Sequence, residues 1–510
     1  MTPAPTETTT PRQDLDDAAL DRAIGAILGS AVADALGAKF EFGPAGLYST
    51  EFPTPVVGGI GELVGGGSFG WAPGEFTDDT QMALALAAAL EEAGGFDAGT
   101  VWRHFRAWCA DAHDVGATTS TALGHESHVG AAESAHKMLG GRTGSNGSVM
   151  RIAPVGVRGV ILGREELYRV AVAQSNLTHH DPIAAVAAAF VAEVIRLLVE
   201  GADFEDAISD ASDMMLESPL GEVFGHGLAP ALSRTWDPIS DDGPTNGSAR
   251  TAVAQAVWAV RHGVHFHDTV TSVIDLGGDT DTVAAIAGAM AGARFGAQAI
   301  PVRWTTYVNG TVHGPKGVRR YDAQDLIDLA RRLVGGENSP HNPPQPPRKL
   351  KKLHPAGVWA ADLGGAASVD ADKAVISMCH TADLFKGHPV RRQVLLRDSG
   401  ANPGLASVVR EVVDAIDAFL AEGREVVVHC HGGRSRTTLA LRAWYMRTNG
   451  VDHEAAVHWI ESEWPHVGRW NASFEEFLDH QWHPGTWGTA PGGADDFDTR
   501  TRTGAAGEDK

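Results

Sequence analysis

The sequence predicts two domains of different class, a nearly all-α N-terminal domain followed by an α/β C-terminal one. Three observations carry this. At 510 residues the chain is longer than one hydrophobic core serves, since domains split beyond roughly 250–300 residues. The stretch GGENSPHNPPQPPRKLKKLHP at 335–355 is Pro-rich, then basic, without apolar period, and reads as a stiff interdomain linker. Apolar residues recur at helical spacing before it and in mixed periods after it.

Taken in order, residues 1–17 are Thr/Pro-rich and expected to be a disordered tail without the apolar core of a signal peptide, which suits a cytoplasmic protein. Residues 18–334 form the first domain, with helical periods at Ala18–Leu36, Met82–Ala93, Ile183–Leu198 and Val283–Arg294. The linker spans 335–354; its run Arg348, Lys349, Lys351, Lys352 reads as a solvated charge cluster. Residues 355–488 form the second domain. There, β-like runs at Ala374–Met378, Gln393–Leu396 and Glu425–His429 alternate with helical ones at Leu405–Ala421 and Glu454–Glu463, the mark of an α/β layer fold. The Gly/Asp/Thr-rich end, 489–510, is expected to be disordered.

Composition excludes several functions. A net charge of -23 argues against nucleic-acid binding, which needs a basic face to release counterions. Three cysteines, Cys109, Cys379 and Cys430, make no disulfide framework and leave a thiol available for chemistry. The longest apolar stretch, Ile183–Val199, is broken by Glu193 and Arg196 and reads as a buried helix, not a membrane span.

Two acidic turns, Phe76-Thr77-Asp78-Asp79-Thr80 and Gly277-Gly278-Asp279-Thr280-Asp281-Thr282, each precede an Ala-rich helix. Asp and Thr cap helices well, but each turn presents more acceptors than a cap requires. Crowded carboxylates repel unless a cation sits among them, and hard oxygen donors suit Mg²⁺, Mn²⁺ or Ca²⁺ over zinc. Asp78 and Asp79 are the proton-handling candidates and Glu41 a gate or water-orienting group, with the choice of base open. The loop Gly144-Ser145-Asn146-Gly147-Ser148 is either an ordinary Gly-rich turn or a cradle of backbone N–H groups for a diphosphate. Arg151 reads as structural or phosphate-binding, and His179 and His180 as wall residues or catalysts.

With Gly29-Ser30, Asp34-Ala35-Leu36-Gly37, Glu41, TDDT at 77–80, Asp114-Val115-Gly116, the 144–151 loop, Thr178-His179-His180-Asp181-Pro182 and GGDTDT at 277–282, the first domain resembles the ADP-ribosylglycohydrolases. The resemblance implies an orthogonal helical bundle around two divalent cations, Mg²⁺ or Mn²⁺, held by Thr77, Asp78, Asp79, Asp279, Asp281 and Thr282. Gly116, the 144–148 loop and His179 would then line the substrate, an ADP-ribosylated protein or small molecule. Ala33 stands where that family usually has Gly, so the local loop shape is expected to differ.

In the second domain Val428-His429-Cys430-His431-Gly432-Gly433-Arg434-Ser435-Arg436-Thr437 places C-x5-R between a strand-like and a helical run. There, loop N–H groups can ring a phosphate and Arg436 can hold two of its oxygens, surroundings that also lower a thiol's pKa. An inert buried cysteine would have no use for these neighbours. The loop resembles that of protein tyrosine and dual-specificity phosphatases. This implies Cys430 as nucleophile, Arg436 on the transition state, Thr437 aiding thiolate release, and His431 to Ser435 around the phosphate of a phosphorylated substrate. That family's proton donor would fall on Asp398, which precedes Cys430 by 32 positions; a surface turn is the alternative. Cys109 and Cys379 lack such surroundings. Together these readings describe a two-activity hydrolase. The competing reading, an ADP-ribose-binding module that delivers the phosphatase without cutting, would show tight ADP-ribose binding beside zero turnover.

Overall fold

The computed structural model describes residues 15–241, 243, 245–339, 348–381, 384–400 and 402–487. The expected disordered ends, apart from 15–17, and residues 340–347 of the expected linker lie outside them.

In the first domain, helix-forming Ala-rich segments pack around one central antiparallel pair, Asp17–Gly37 against Thr280–Phe295. The two backbones touch. A Cβ on Gly25 would fall 2.1 Å from the Gly292 carbonyl oxygen, and one on Gly29 would fall 2.5 Å from that of Gly288. Only glycine fits at such a crossing. The approach sets Asp34, in the last turn of one helix, beside Asp281 in the first turn of the other. Ala33 lies inside the first helix, buried against Gly288, so no loop is reshaped there.

The acidic Thr77–Thr80 turn opens the Asp78–Ala93 helix. The apolar helix Pro182–Glu200 is long enough to cross a bilayer by length and composition, yet 89% of its most apolar window is buried in the protein. Its two interrupting charges pair with each other, Arg196 Nη2 to Glu193 Oε1 at 2.7 Å, and Arg164 also reaches Glu193. The expectation of a nearly all-α domain meets one departure, a hairpin of β1 (Asn309–Gly314) and β2 (Gly317–Asp322). The helix Ala323–Leu333 follows it.

The second domain has a five-stranded sheet in the order β3-β4-β7-β5-β6: β3 Leu350–His354, β4 Val358–Asp362, β5 Ala374–Ser377, β6 Arg391–Gln393 and β7 Val426–Cys430. The sheet is parallel except for β3. Residues 350–354, assigned to the linker by sequence, are thus an edge strand. Their lysines disguise an exposed edge, and they are not free: Lys351 meets Glu463 and Lys352 meets Glu425. Central β7 is fully buried, as its uninterrupted Val run suggests. The helices Leu405–Ala421 and Ser435–Asn449 pack on the sheet through Val409, Val413, Ile416, Leu439 and Ala443.

The domains meet through buried polar contacts. Arg303, 1% exposed, donates from Nε to Glu62 Oε2 at 3.0 Å within its own domain and from Nη1 to Glu411 of the second. Arg392 Nη1 donates to the Gly59 carbonyl, and Gln298 bridges Asn402 and the Gly404 N–H.

Candidate active sites

In the first domain the expected residues converge. Asp34 accepts from the Thr77 and Thr80 N–H groups at 3.0 Å each and from both their hydroxyls, at 2.8 and 2.5 Å. This ties the acidic turn to the central helix pair and presents Asp78 and Asp79. From the other side Asn246 Oδ1 receives the Asp279 N–H, and Asn146 Nδ2 donates to Asp279 Oδ2 at 2.8 Å. Thr282 Oγ1 reaches Asp79 Oδ2 at 3.4 Å.

Carboxyl oxygens gather in three groups, Asp34–Asp79–Asp281, Glu41–Asp279–Asp281 and Asp78–Asp114–Asp281, with atoms within 4.8 Å of one another in each. Asp281 belongs to all three. Burial, then repulsion among these neighbours, pushes Asp78, Asp79 and Asp281 well above the usual carboxylate range, and Glu41 up to about 8. Asp79 Oδ1 and Glu41 Oε2 are buried without a hydrogen-bond partner. An all-oxygen set with unspent acceptors around a shared carboxylate fits hard divalent cations.

A cavity of about 250 Å³ opens over this cluster, lined by Glu41, Asp78, Gly116, Asn146, Gly147 and Asp281 among others. Ser145 and Thr282 also line it, whereas Thr77 and Asp79 lie behind, 0% and 1% exposed. The Gly-rich loop divides. Ser145 to Gly147 face the cavity, but Ser148 is buried against Ser175 and Ala184, and Gly144 packs toward Ile183. His179, expected at the substrate, is fully buried behind the loop, with Nε2 on the Ser145 hydroxyl at 3.0 Å and Nδ1 on Thr178; burial pushes its pKa well down. It supports Ser145 without facing the cavity. Arg151 is likewise structural, stacked on Phe105 and bonded to Gln174 and Thr178. Asp34 and Asp114 also lie within the motifs, though nothing in the sequence assigns either a role. An Asp deep in an apolar helix was the available signal for Asp34.

In the second domain β7 ends at Cys430 and the Ser435–Asn449 helix begins five residues later. Gly433 has φ +65°, and a Cβ there would lie 2.6 Å from the Ala361 carbonyl oxygen, so glycine is required at that turn. Trp464 Nε1 fixes the Gly433 carbonyl at 2.7 Å, and the Leu363 N–H fixes that of His431. His429 is buried on Ser377, and burial pushes its pKa down to about 3. Around Cys430 the Ser435 and Thr437 hydroxyls, His431 Nε2 and Arg436 Nε are buried without hydrogen-bond partners, a set of unspent donors suited to an oxyanion. Arg434 instead turns outward onto the Trp470 ring. Asp398 Oδ1 lies 3.9 Å from Arg436 Nε, so the residue proposed as proton donor does stand at the loop. Cys379, expected to lack such surroundings, is nearby: burial pushes its thiol up to about 12, with Arg436 acting against this.

Comparison with known proteins bears on both sites. A family model described as ADP-ribosylglycohydrolase matches residues 15–343, and one described as dual specificity phosphatase, catalytic domain, matches 374–480. The ADP-ribosylarginine hydrolase Tri1 of Pseudomonas putida (strain GB-1) is 32% identical over 334 residues, 63% of this chain and 81% of that protein. The ADP-ribosyl-[dinitrogen reductase] glycohydrolase of Rhodospirillum rubrum is 29% identical over 316 residues, 61% of this chain and 97% of its own. A solved structure described as an ADP-ribosylglycohydrolase-related protein complex covers 62% of this chain and 98% of its own, at 29% identity and a TM-score of 0.46.

Proposed function

Since this chain belongs to the ADP-ribosylglycohydrolase family over residues 15–343 and carries a dual specificity phosphatase catalytic domain over 374–480, we propose that it releases ADP-ribose from a conjugate in a metal-dependent reaction and has a separate, cysteine-dependent phosphatase activity. The observation that carries the first half is the sharing of Asp281 by three carboxylate groups under one cavity.

Thr77, Asp78, Asp79, Asp279, Asp281 and Thr282 would hold two cations, Mg²⁺ or Mn²⁺, with Asp34 and Asp114 completing the acidic set. When bound, such cations offset the carboxylate charge and supply Lewis acidity toward ribose hydroxyls and water. The protein's own part is positioning and proton handling. Asn146 orients Asp279, and the Thr77 and Thr80 N–H groups orient Asp34. The Ser145–Gly147 loop and Gly116 form the cavity wall on which the diphosphate would lie. As the bond from the anomeric carbon to the leaving atom breaks through an oxocarbenium-like state, water adds to that carbon. Its proton passes to Asp78 or Glu41, the candidate carboxyls that face the cavity, and from there to the leaving atom, which keeps the bonding electron pair; Asp79, shut behind, serves as a ligand. The names of the relatives motivate arginine-linked ADP-ribose as the first conjugate to try.

In the second site the Cys430 sulfur attacks phosphorus, the ester P–O bond breaks, and Asp398 gives its proton to the leaving oxygen. Water, deprotonated by Asp398, then displaces sulfur and releases inorganic phosphate, the S–P electron pair returning to Cys430. Arg436 and the loop N–H groups of His431 to Ser435 hold the phosphoryl oxygens, and the Thr437 hydroxyl stabilises the departing thiolate.

Mass spectrometry of products from an ADP-ribosylarginine peptide, with Mg²⁺ or Mn²⁺ added or chelated, tests the first activity. Release is expected to vanish with EDTA and in Asp281→Ala and to persist in Cys430→Ser. Release that survives EDTA overturns the metal-dependent reading, and tight ADP-ribose binding with zero turnover under every metal condition overturns the hydrolase reading.

A further inference from the structure

The phosphatase loop does not look out on open solvent alone. A cavity of about 330 Å³ lies between the domains and reaches the loop at His431 and Arg436. One wall is the second domain's own Cys379, Gln393 and Leu396; the facing wall comes from the first domain, with Asp21, Gln298, Gln324 and Arg331. The facing wall is held in place. Gln298 is clamped to Asn402 and Gly404 across the joint, Gln324 Nε2 is bonded to Asp328 and Ser339, and Arg397 pairs with Asp17. Within this cavity Arg331 stands apart. Its Nε is buried without a hydrogen-bond partner, and among the described residues Asp328 and Asp17 act on its charge from beyond ion-pair distance, beside the like charge of Arg397. A guanidinium held in this way is a prepared site for an anionic group.

We propose that the phosphatase acts on a small phosphate monoester with a second anionic group, bound in this interdomain cavity with its phosphoryl group on the Cys430 loop and its other anion on Arg331. This rests on the phosphatase reading above and specifies its substrate class. The volume is at the small end of ligand pockets, about that of a sugar phosphate, and the first-domain wall, with Asp21, Gln298, Gln324 and Arg331, bounds it on the side away from the second domain. Specificity for the second domain's reaction therefore resides in the first domain, at Arg331.

The test uses the full-length protein on p-nitrophenyl phosphate, a phosphotyrosine peptide, ribose 5-phosphate and a sugar bisphosphate. The bisphosphate is expected to give the highest kcat/KM. Arg331→Gln should raise its KM at least tenfold while leaving kcat/KM for p-nitrophenyl phosphate within twofold, and Arg331→Lys should restore part of the loss. An equal effect of Arg331→Gln on every substrate, or a phosphotyrosine peptide outranking the small bis-anion, overturns the proposal. Cys430→Ser on p-nitrophenyl phosphate reads the underlying assignment separately: turnover that persists in that variant overturns the phosphatase reading itself.

Discussion

Replacing Arg303 by Met should unlock the joint on which the interdomain cavity depends. The guanidinium is 1% exposed and sits between two buried carboxylates, Glu62 of the first domain and Glu411 of the second. Burial disfavours ionised Glu62, but the charge and hydrogen bonds of Arg303, with the Trp304 N–H at 2.6 Å, outweigh it and hold this carboxyl below its usual range. Glu411 is less well served: its Oε2 has no hydrogen bond, and burial pushes its pKa up despite Arg303 and Arg392. Removing the arginine leaves both carboxylates buried without their main counter-charge, which typically costs about 3–5 kcal/mol. The sign with pH follows from Glu62. Its folded pKa is depressed, so its contribution is present above the unfolded value of 4.5 and lost as pH falls through the folded one. In the variant both carboxyls can instead take up protons on acidification, so the gap to the wild type should be widest near pH 7.5 and narrower at pH 5. Urea unfolding at the two pH values, followed by tryptophan fluorescence and circular dichroism, measures it. The triple change Glu62→Gln, Arg303→Met, Glu411→Gln should recover most of the loss, because a buried ion cluster contributes little net stability over neutral groups. A loss under about 1 kcal/mol for Arg303→Met at pH 7.5, or one independent of pH, refutes the reasoning.

Three further outcomes are expected. Mg²⁺ at a hundredfold excess over its Kd should stabilise the wild type by about 2.7 kcal/mol, read as a raised Tm, and should leave Asp281→Ala unmoved. Gly288→Val drives a side chain into the Gly29 carbonyl, 2.4 Å from the new Cβ; it should cost about 3 kcal/mol in chemical denaturation and impair ADP-ribose release more than phosphatase turnover. Asp21 is raised by burial to about 6 from 3.8, so the folded state holds its proton more tightly and stability falls as pH rises through that window. Asp21→Asn should match the wild type near pH 4 and exceed it by roughly 3 kcal/mol at pH 7.5, and equal stability at both pH values would count against it.

Much of this architecture was legible because local rules and chemistry agreed. The helix expected at Leu405–Ala421 is the one observed, since its apolar stripe is uninterrupted, and Ala18–Leu36 falls within Asp17–Gly37. The grouping of Asp78 and Asp79 with Asp279 and Asp281 was legible because each of their turns holds more acceptors than a helix cap needs, and the structure brings Asp281 into one carboxylate group with each of the other three. The strand β3 escaped notice because three of its five residues, Leu350, Lys351 and Lys352, are exposed, and an edge strand of that kind carries no apolar alternation to read.

The domain joint was illegible for a different reason. Arg303, Glu62 and Glu411 lie up to 349 positions apart, from 62 to 411, and each reads singly as an ordinary surface charge, because burial and pairing are properties of the tertiary structure. The same holds for Arg331, whose helix Ala323–Leu333 has the polar face of any amphipathic surface helix. Only the position of the second domain turns part of that face into a cavity wall opposite Arg436. Sequence motifs mark the reacting groups of each domain even where they lie far apart, as Asp79 and Asp279 do, 200 positions from one another. On the proposed substrate class, what binds the rest of the phosphatase substrate is set by how the two domains are joined, and Arg303, buried between Glu62 and Glu411, is one of the contacts that hold them together.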